Sequence, residues 1–131
     1  TGNTETLAGA LGEELKTKFT VTIRNVAEIV PEDILEYDLI VLGASTWNDG
    51  ELQEDFQEFY DEMDQLDLSD KKVAVFGPGD RSWEEYCKAV DLLEEKSLHL
   101  KANLVAPGFK WDGDIDDQAV LEIKKWGAQL H

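Results

Sequence analysis

Three short segments of this chain carry residue types that recognise a flat, phosphate-bearing molecule. Thr1-Gly2-Asn3-Thr4-Glu5-Thr6 places three hydroxyls, an amide and a glycine where an amphipathic helix begins. The first N–H groups of a helix have no partner within it, and the helix dipole adds positive potential. Such a start either caps itself or binds a phosphate. Ser45-Thr46-Trp47-Asn48-Asp49-Gly50-Glu51-Leu52 follows the most apolar run in the chain. Trp47 has a face on which a planar ring can stack, or it simply folds over the next helix start, and Asn48-Asp49-Gly50 favours a turn with positive φ. Gly77-Pro78-Gly79-Asp80-Arg81-Ser82-Trp83-Glu84-Glu85-Tyr86-Cys87 follows a second apolar run. Its glycines are a poor dinucleotide fingerprint, because Ser82 stands three residues beyond Gly79. The segment offers backbone N–H groups and a second tryptophan, Trp83, and two aromatics on neighbouring loops can enclose a flat ring.

Loops of this kind need a frame. Leu39-Ile40-Val41-Leu42 and Val73-Ala74-Val75-Phe76 are continuous apolar runs bounded by charge and glycine, the pattern of parallel strands covered on both faces. Thr20-Val21-Thr22-Ile23-Arg24 alternates and reads as an edge-like strand, and Ala102 to Phe109 as a last strand interrupted by Pro107-Gly108. Four amphipathic helices lie between and around these strands. Their apolar faces are Leu7, Ala8, Leu11 and Leu15; Leu52, Phe56, Phe59, Tyr60 and Met63; Tyr86, Val90, Leu93 and Ser97; and Val120, Ile123, Gly127 and Leu130. Pro31 to Leu35 reads as a short extra turn. Helix and strand alternate, which predicts a doubly wound α/β domain, one domain over residues 1–131.

The 131 residues include 29 acids against 12 bases, a formal charge of −17. That balance repels nucleic acid and anionic lipid and suits basic protein partners. No apolar run is long enough to span a membrane, and no export signal stands at the start, so a soluble cytoplasmic protein is expected. A single cysteine, Cys87, precludes an internal disulfide and the usual zinc or iron–sulfur sites. Its acidic neighbours Glu84 and Glu85 argue against a reactive thiolate, and it reads as buried. His99 and His131 stand alone, without a catalytic role. Trp111, in the Asp/Gly-rich loop after the last strand, and Trp126 read as packing residues.

In this order TGNTET, STWNDGELQEDF and FGPGDRSWEEYCKAVDLLEEK resemble the short-chain flavodoxins, and the resemblance spans essentially the whole chain. It implies a low-potential one-electron carrier with non-covalent FMN, an electron-transfer protein with no catalytic residue and no metal. It also implies a three-layer sandwich of strand order 2-1-3-4-5 with FMN at the switch point; that order is the family's own. The family's central first strand and the opening hydroxyl of its phosphate loop lie ahead of Thr1. By the same resemblance Thr1, Asn3, Thr4 and Thr6 hold the FMN phosphate, Ser45 and Thr46 serve the phosphate and the ring edge, and Trp47 stacks on the inner face. Asp80 and Cys87 meet the pyrimidine part through backbone groups, and Trp83 stacks outside. Gly2, Glu5, Asn48, Asp49, Gly50, Gly77, Gly79 and Tyr86 complete the set. The carbonyl of Asn48 accepts a hydrogen bond from the flavin's central ring as the first electron arrives. Trp83 stands where the family commonly has tyrosine, and Arg81 replaces a small polar residue and sets a cation near the flavin edge.

Acids opposing an added electron lower a flavin's potential; one carboxylate about 5–10 Å away, at an effective dielectric near 20, opposes it by roughly 1.5–3 kcal/mol. Between Glu51 and Asp70 there are nine acids and no bases, next to the Trp47 loop. This stretch is either a solvated helix face or the surface that steers a basic redox partner to a monomeric carrier. The sequence is also compatible with three other readings: an FMN-dependent oxidoreductase of the same fold, a receiver-type signalling domain, and a truncated or rearranged flavodoxin that does not hold FMN.

Overall fold

The computed structural model describes residues 2–47, 51–52, 54–79 and 87–131. Its frame is a parallel sheet. Strand β1 (Leu39–Gly43) pairs with β4 (Lys72–Gly79) from Leu39 opposite Lys72 to Gly43 opposite Phe76. On the other side of β4 lie β5 (Asn103–Leu104) and β6 (Phe109–Asp112), both parallel to it. Because side chains alternate across a strand, each apolar run supplies two cores at once. Ile40, Leu42, Val73 and Val75 enter one; Leu39, Val41, Ala74 and Phe76 enter the other.

Helices α2 (Glu54–Glu62) and α3 (Lys88–His99) cover the first core with Phe56, Phe59, Val90 and Leu93. Helices α1 (Gly2–Leu15) and α4 (Asp117–Ala128) cover the second with Leu7, Leu11, Leu15, Ile123 and Trp126. The result is a three-layer α/β sandwich. Full burial of a side chain such as Leu93 or Ile123 is worth roughly 1.5–3 kcal/mol.

Contacts between α1 and α4 fix their direction. Glu13 pairs with Lys124, a Cβ on Gly127 would meet Leu11, and the Lys18 ammonium donates to the carbonyls of Ala128 and Leu130 at 2.8 and 3.0 Å. The two helices therefore run parallel, with their C-terminal ends together. Since α4 starts just past the C-terminal end of β6, the first turn of α1 lies at that same edge of the sheet.

The break in the last strand falls where proline and glycine placed it. Four residues, 105–108, separate the Leu104–Val73 pair from the Phe109–Phe76 pair, whereas β4 needs only Ala74 and Val75 over that span. The extra length bulges out at Pro107, which has no N–H to give the ladder. The displaced Gly108 N–H finds the Glu94 carboxylate at 3.1 Å, and Trp126 Nε1 donates to the Pro107 carbonyl at 2.8 Å.

Five sequence expectations need correction, one of them Leu130, which lies past the end of α4 at Ala128 and not on that helix. Thr20–Arg24 is not a strand: among the described residues no strand lies beside it to complete a ladder, and Ile23 and Val21 instead pack against Gly12 of α1. Leu52 belongs not to α2 but to a short antiparallel hairpin, β2 (Thr46–Trp47) with β3 (Glu51–Leu52), which pairs Thr46 with Leu52 and Trp47 with Glu51. Three intervening residues suffice to turn the chain back on itself there. Met63 likewise falls just past α2, in a 3-10 turn at Met63–Gln65, where it is buried. Trp111 lies within β6, opposite Pro78, because β4 and β6 stay paired three residues beyond the apolar stretch that marks the strand, to Gly79 opposite Asp112. The turn expected at Pro31 is a 3-10 helix, Pro31–Glu36. Tyr86, expected on the third helix face, lies outside the described residues.

Candidate functional site

The parallel strands β1, β4 and β6 all end at one edge of the sheet, and α1 brings its first turn there as well. Asn3, Glu5 and Thr6 are exposed and Thr4 is half-buried, one turn ahead of the buried anchor Leu7. Hydroxyl and amide donors at a helix N-terminus are a donor set for a phosphate. Thr1 lies outside the described residues, and the helix itself starts at Gly2.

The β1 and β4 loops start side by side because glycine lets them. A Cβ on Gly77 would lie 2.2 Å from the Ala44 carbonyl oxygen, and one on Gly43 would lie 2.2 Å from Cζ of the Phe76 ring. In the space so saved, the Ala44 N–H reaches the Phe76 carbonyl at 3.2 Å, one residue past the strand ladder. Ser45 follows, 9% exposed, and leads into the β2–β3 hairpin, which lies beside α3 and β4. Asn48, Asp49 and Gly50 lie outside the described residues.

Beyond Gly79, residues 80–86 also lie outside the description, among them Asp80, Arg81, Trp83 and Tyr86. The chain resumes at Cys87, which is buried as expected. Its thiol donates to the Gly77 carbonyl at 3.6 Å, so both ends of this loop meet at β4. Cys87 holds φ at +50°, a left-handed conformation that costs an L residue roughly 1–2 kcal/mol. It starts α3 from that conformation.

One part of the edge was not read from sequence. After β6 the Gly113 N–H donates to the Gly79 carbonyl at 2.9 Å, tying a third loop to the end of β4. The Asp112-Gly113 pair at the end of a strand was the signal that could have shown it. Trp126 packs between Phe76 and Phe109, as expected of a packing residue. Asp67 has a displaced pKa. The N–H and side chain of Ser69 hold its carboxyl below the usual range, and it stands before β4, at the other edge of the sheet.

An open parallel sheet with helices on both faces, a helix N-terminus and strand-end loops gathered at one edge is the doubly wound α/β architecture, in which ligands bind at the carboxyl ends of the strands. The flavodoxin family model matches residues 1–126, and the chain belongs to that family. It is 39% identical to a flavodoxin of Maridesulfovibrio salexigens over 134 residues, covering 99% of this chain and 90% of that one. A flavodoxin of Synechocystis is also 39% identical, with 99% and 78% covered. The crystal structure of oxidised flavodoxin 1 from Bacillus cereus superposes with a TM-score of 0.94 at 36% identity, covering 98% of this chain and 89% of that one.

Membership makes the chain an FMN-binding electron carrier rather than an FMN-dependent oxidoreductase, and it sets aside the receiver-domain reading. The residues present fit the cofactor: the first turn of α1 supplies the donors a phosphate needs, and Gly77 keeps the strand-end loops close. Among the described residues no helix is long and apolar enough to cross a membrane.

Proposed function

We propose that residues 1–131 form one FMN-binding domain that works in the cytoplasm, as a single copy, as a low-potential carrier docking on basic redox proteins. In this reading the α1 start, with Thr1, Gly2, Asn3, Thr4, Glu5 and Thr6, holds the phosphate. Ser45, Thr46 and Trp47, with the Asn48-Asp49-Gly50 turn, line the inner side of the ring. The segment from Gly77 to Cys87 lines the outer side, with Gly79, Asp80 and Tyr86 near the ring edge and Trp83 stacked on it. The observation that carries the reading is the convergence of α1 and the strand-end loops on one edge of the sheet. Bound FMN supplies the one-electron chemistry; the protein supplies position, cover from water and charge.

The docking face is supported by α2, which follows the Trp47 hairpin directly. Glu58, Asp61 and Glu62 are exposed on it. The helix is held from below by Lys96 of α3, whose ammonium pairs with Asp64 and lies 4.1 Å from the centroid of the Tyr60 ring. An acidic face fixed in place beside the site steers a basic partner before contact. A lone cysteine without a disulfide fits a reducing compartment.

Two measurements test this. Flavin-fluorescence titration should show loss of FMN affinity in Trp47→Ala and in Trp83→Ala; unchanged affinity in both would remove the ring-stacking assignment. Stopped-flow reduction by a basic reductase should slow by roughly tenfold or more as ionic strength rises. A rate indifferent to salt would remove the docking face and leave the FMN site untouched.

A further inference from the structure

We infer that the outer flank of α3 and the edge strand β5 form a docking groove for a short, extended, basic segment of a partner protein, which adds to the sheet at Leu104. Strand β5 pairs with β4 on one side, and among the described residues no strand lies on its other side. The N–H groups of Asn103 and Val105 donate to the carbonyls of Lys71 and Val73 at 3.0 and 3.1 Å. Alternate residues of a parallel ladder face opposite neighbours, so Leu104 turns its N–H and C=O to the open side. Just beyond, the bulge at Pro107 ends the edge, and the Gly108 N–H is taken by the Glu94 carboxylate. The edge thus offers one donor and one acceptor at a single place, a fixed register for a short strand and a poor template for a long one.

A groove of about 350 Å³ runs beside it, lined by Lys88, Asp91, Glu94, Glu95, Leu98 and Leu104. Lys88, Asp91, Glu95 and Leu98 recur at steps of three and four and so lie on one stripe of α3. From Lys88 to Leu98 that stripe is about 15 Å long, room for about five extended residues. Leu98 is 58% exposed, a large apolar side chain left uncovered, and Leu104 is half-buried. Charge selects the occupant. Asp91 is paired with Lys110 at 2.8 Å, but beside Leu98 stand Glu94 and Glu95, and Lys88 is at the far end of the stripe. Side chains two apart on a strand share a face, so an apolar residue on Leu98 and Leu104, with a lysine or arginine two positions away, meets both features at once. This surface is separate from the α2 face, because Lys96 reaches Tyr60 of α2 from the opposite flank of α3.

The whole chain, isotope-labelled for amide NMR, would be titrated with the end-capped peptide Lys-Thr-Val-Thr-Lys and with its counterpart Glu-Thr-Val-Thr-Glu. The basic peptide should bind saturably, shift the amides of Leu98, Leu104 and Val105, and slow hydrogen exchange at the Leu104 N–H, the donor an added strand would take. Glu95→Lys and Leu98→Ser should each weaken binding by about fivefold or more. Both side chains are exposed, so urea unfolding of these variants should stay near wild type. Asp61→Lys, on the α2 face, should weaken binding by less than about twofold, the long-range share of one screened charge. Absence of saturable binding by the basic peptide would overturn the inference, as would equal binding of the acidic peptide. Unchanged exchange at Leu104, or a loss in Asp61→Lys as large as that in Glu95→Lys, would overturn it too.

Discussion

Gly77→Ala should damage both the fold and the cofactor site, and the structure sets the size of the effect. The added methyl would sit 2.2 Å from the Ala44 carbonyl oxygen and 2.9 Å from Cγ2 of Val90. An ordinary carbon–oxygen contact is about 3.3 Å or longer, so roughly 1 Å must be found. Val90 can turn, but Ala44 is backbone, held to Phe76 through its own N–H at 3.2 Å. Moving it breaks that bond or pries β1 from β4. Overpacking of this kind costs about 1–3 kcal/mol.

The assay is urea unfolding followed by far-UV circular dichroism, with a parallel FMN titration. With m about 1–3 kcal/mol/M, the midpoint should fall by roughly 1 M with m unchanged. FMN affinity should fall as well, because the displaced carbonyl leads directly into Ser45 and the Trp47 hairpin. Gly9→Ala is the control: a Cβ there meets nothing within 4 Å, and mid-helix alanine should stabilise by about 0.5–1 kcal/mol. The same chemical change should thus act with opposite sign at two positions. If Gly77→Ala unfolds within 0.5 M of wild type and binds FMN equally, the close approach of the two strand ends is not what shapes the site.

Three further outcomes follow from local geometry. Lys101 ends α3 at φ +73°, its N–H on the Leu98 carbonyl, so Lys101→Gly should relieve left-handed strain and raise stability by about 0.5–1 kcal/mol; an unchanged or lower melting temperature would refute this. Asp116 caps α4 by accepting the Ala119 N–H at 2.9 Å; Asp116→Ala should cost about 1 kcal/mol in chemical unfolding, and a neutral result would deny the cap. Asp67 has its folded pKa lowered by Ser69, so its contribution is present above the usual carboxylate range and is lost as pH falls through the lowered value. Unfolding of Asp67→Ala and wild type across pH should show a small gap at neutral pH that closes in acid; a gap that persists in acid would contradict the linkage.

What was legible in the sequence was local. The apolar runs at Leu39 and Val73 announced buried parallel strands, because a strand covered on both faces has no polar side to show. Pro107-Gly108 marked the break in the last strand. Thr20–Arg24 misled for a physical reason: alternation describes which faces are wet and says nothing about whether a neighbour supplies the ladder. The hairpin was missed because β2 and β3 are two residues each, too short for any periodicity. Trp111 was read as loop because Asp112-Gly113 follows so closely, whereas β4 holds it in register opposite Pro78. The Gly113–Gly79 bond joins residues 34 apart in the chain and leaves no mark in either local pattern beyond a glycine.

The described part of the site edge is held largely by groups that carry no distinctive side chain. Ala44 meets Phe76 through backbone, Gly77 meets Ala44 by lacking a Cβ, and Gly113 meets Gly79 through backbone; the Cys87 thiol is the side chain in this set. Backbone contacts of this sort place loops without constraining what the loops display. That accounts for how a chain 36% identical to a solved structure keeps a TM-score of 0.94 with it. Substitutions at displayed positions should therefore tune affinity and potential with little effect on folding. Substitutions at the plain glycines should do the reverse of what their chemistry suggests, reshaping the site most where the residue replaced is smallest.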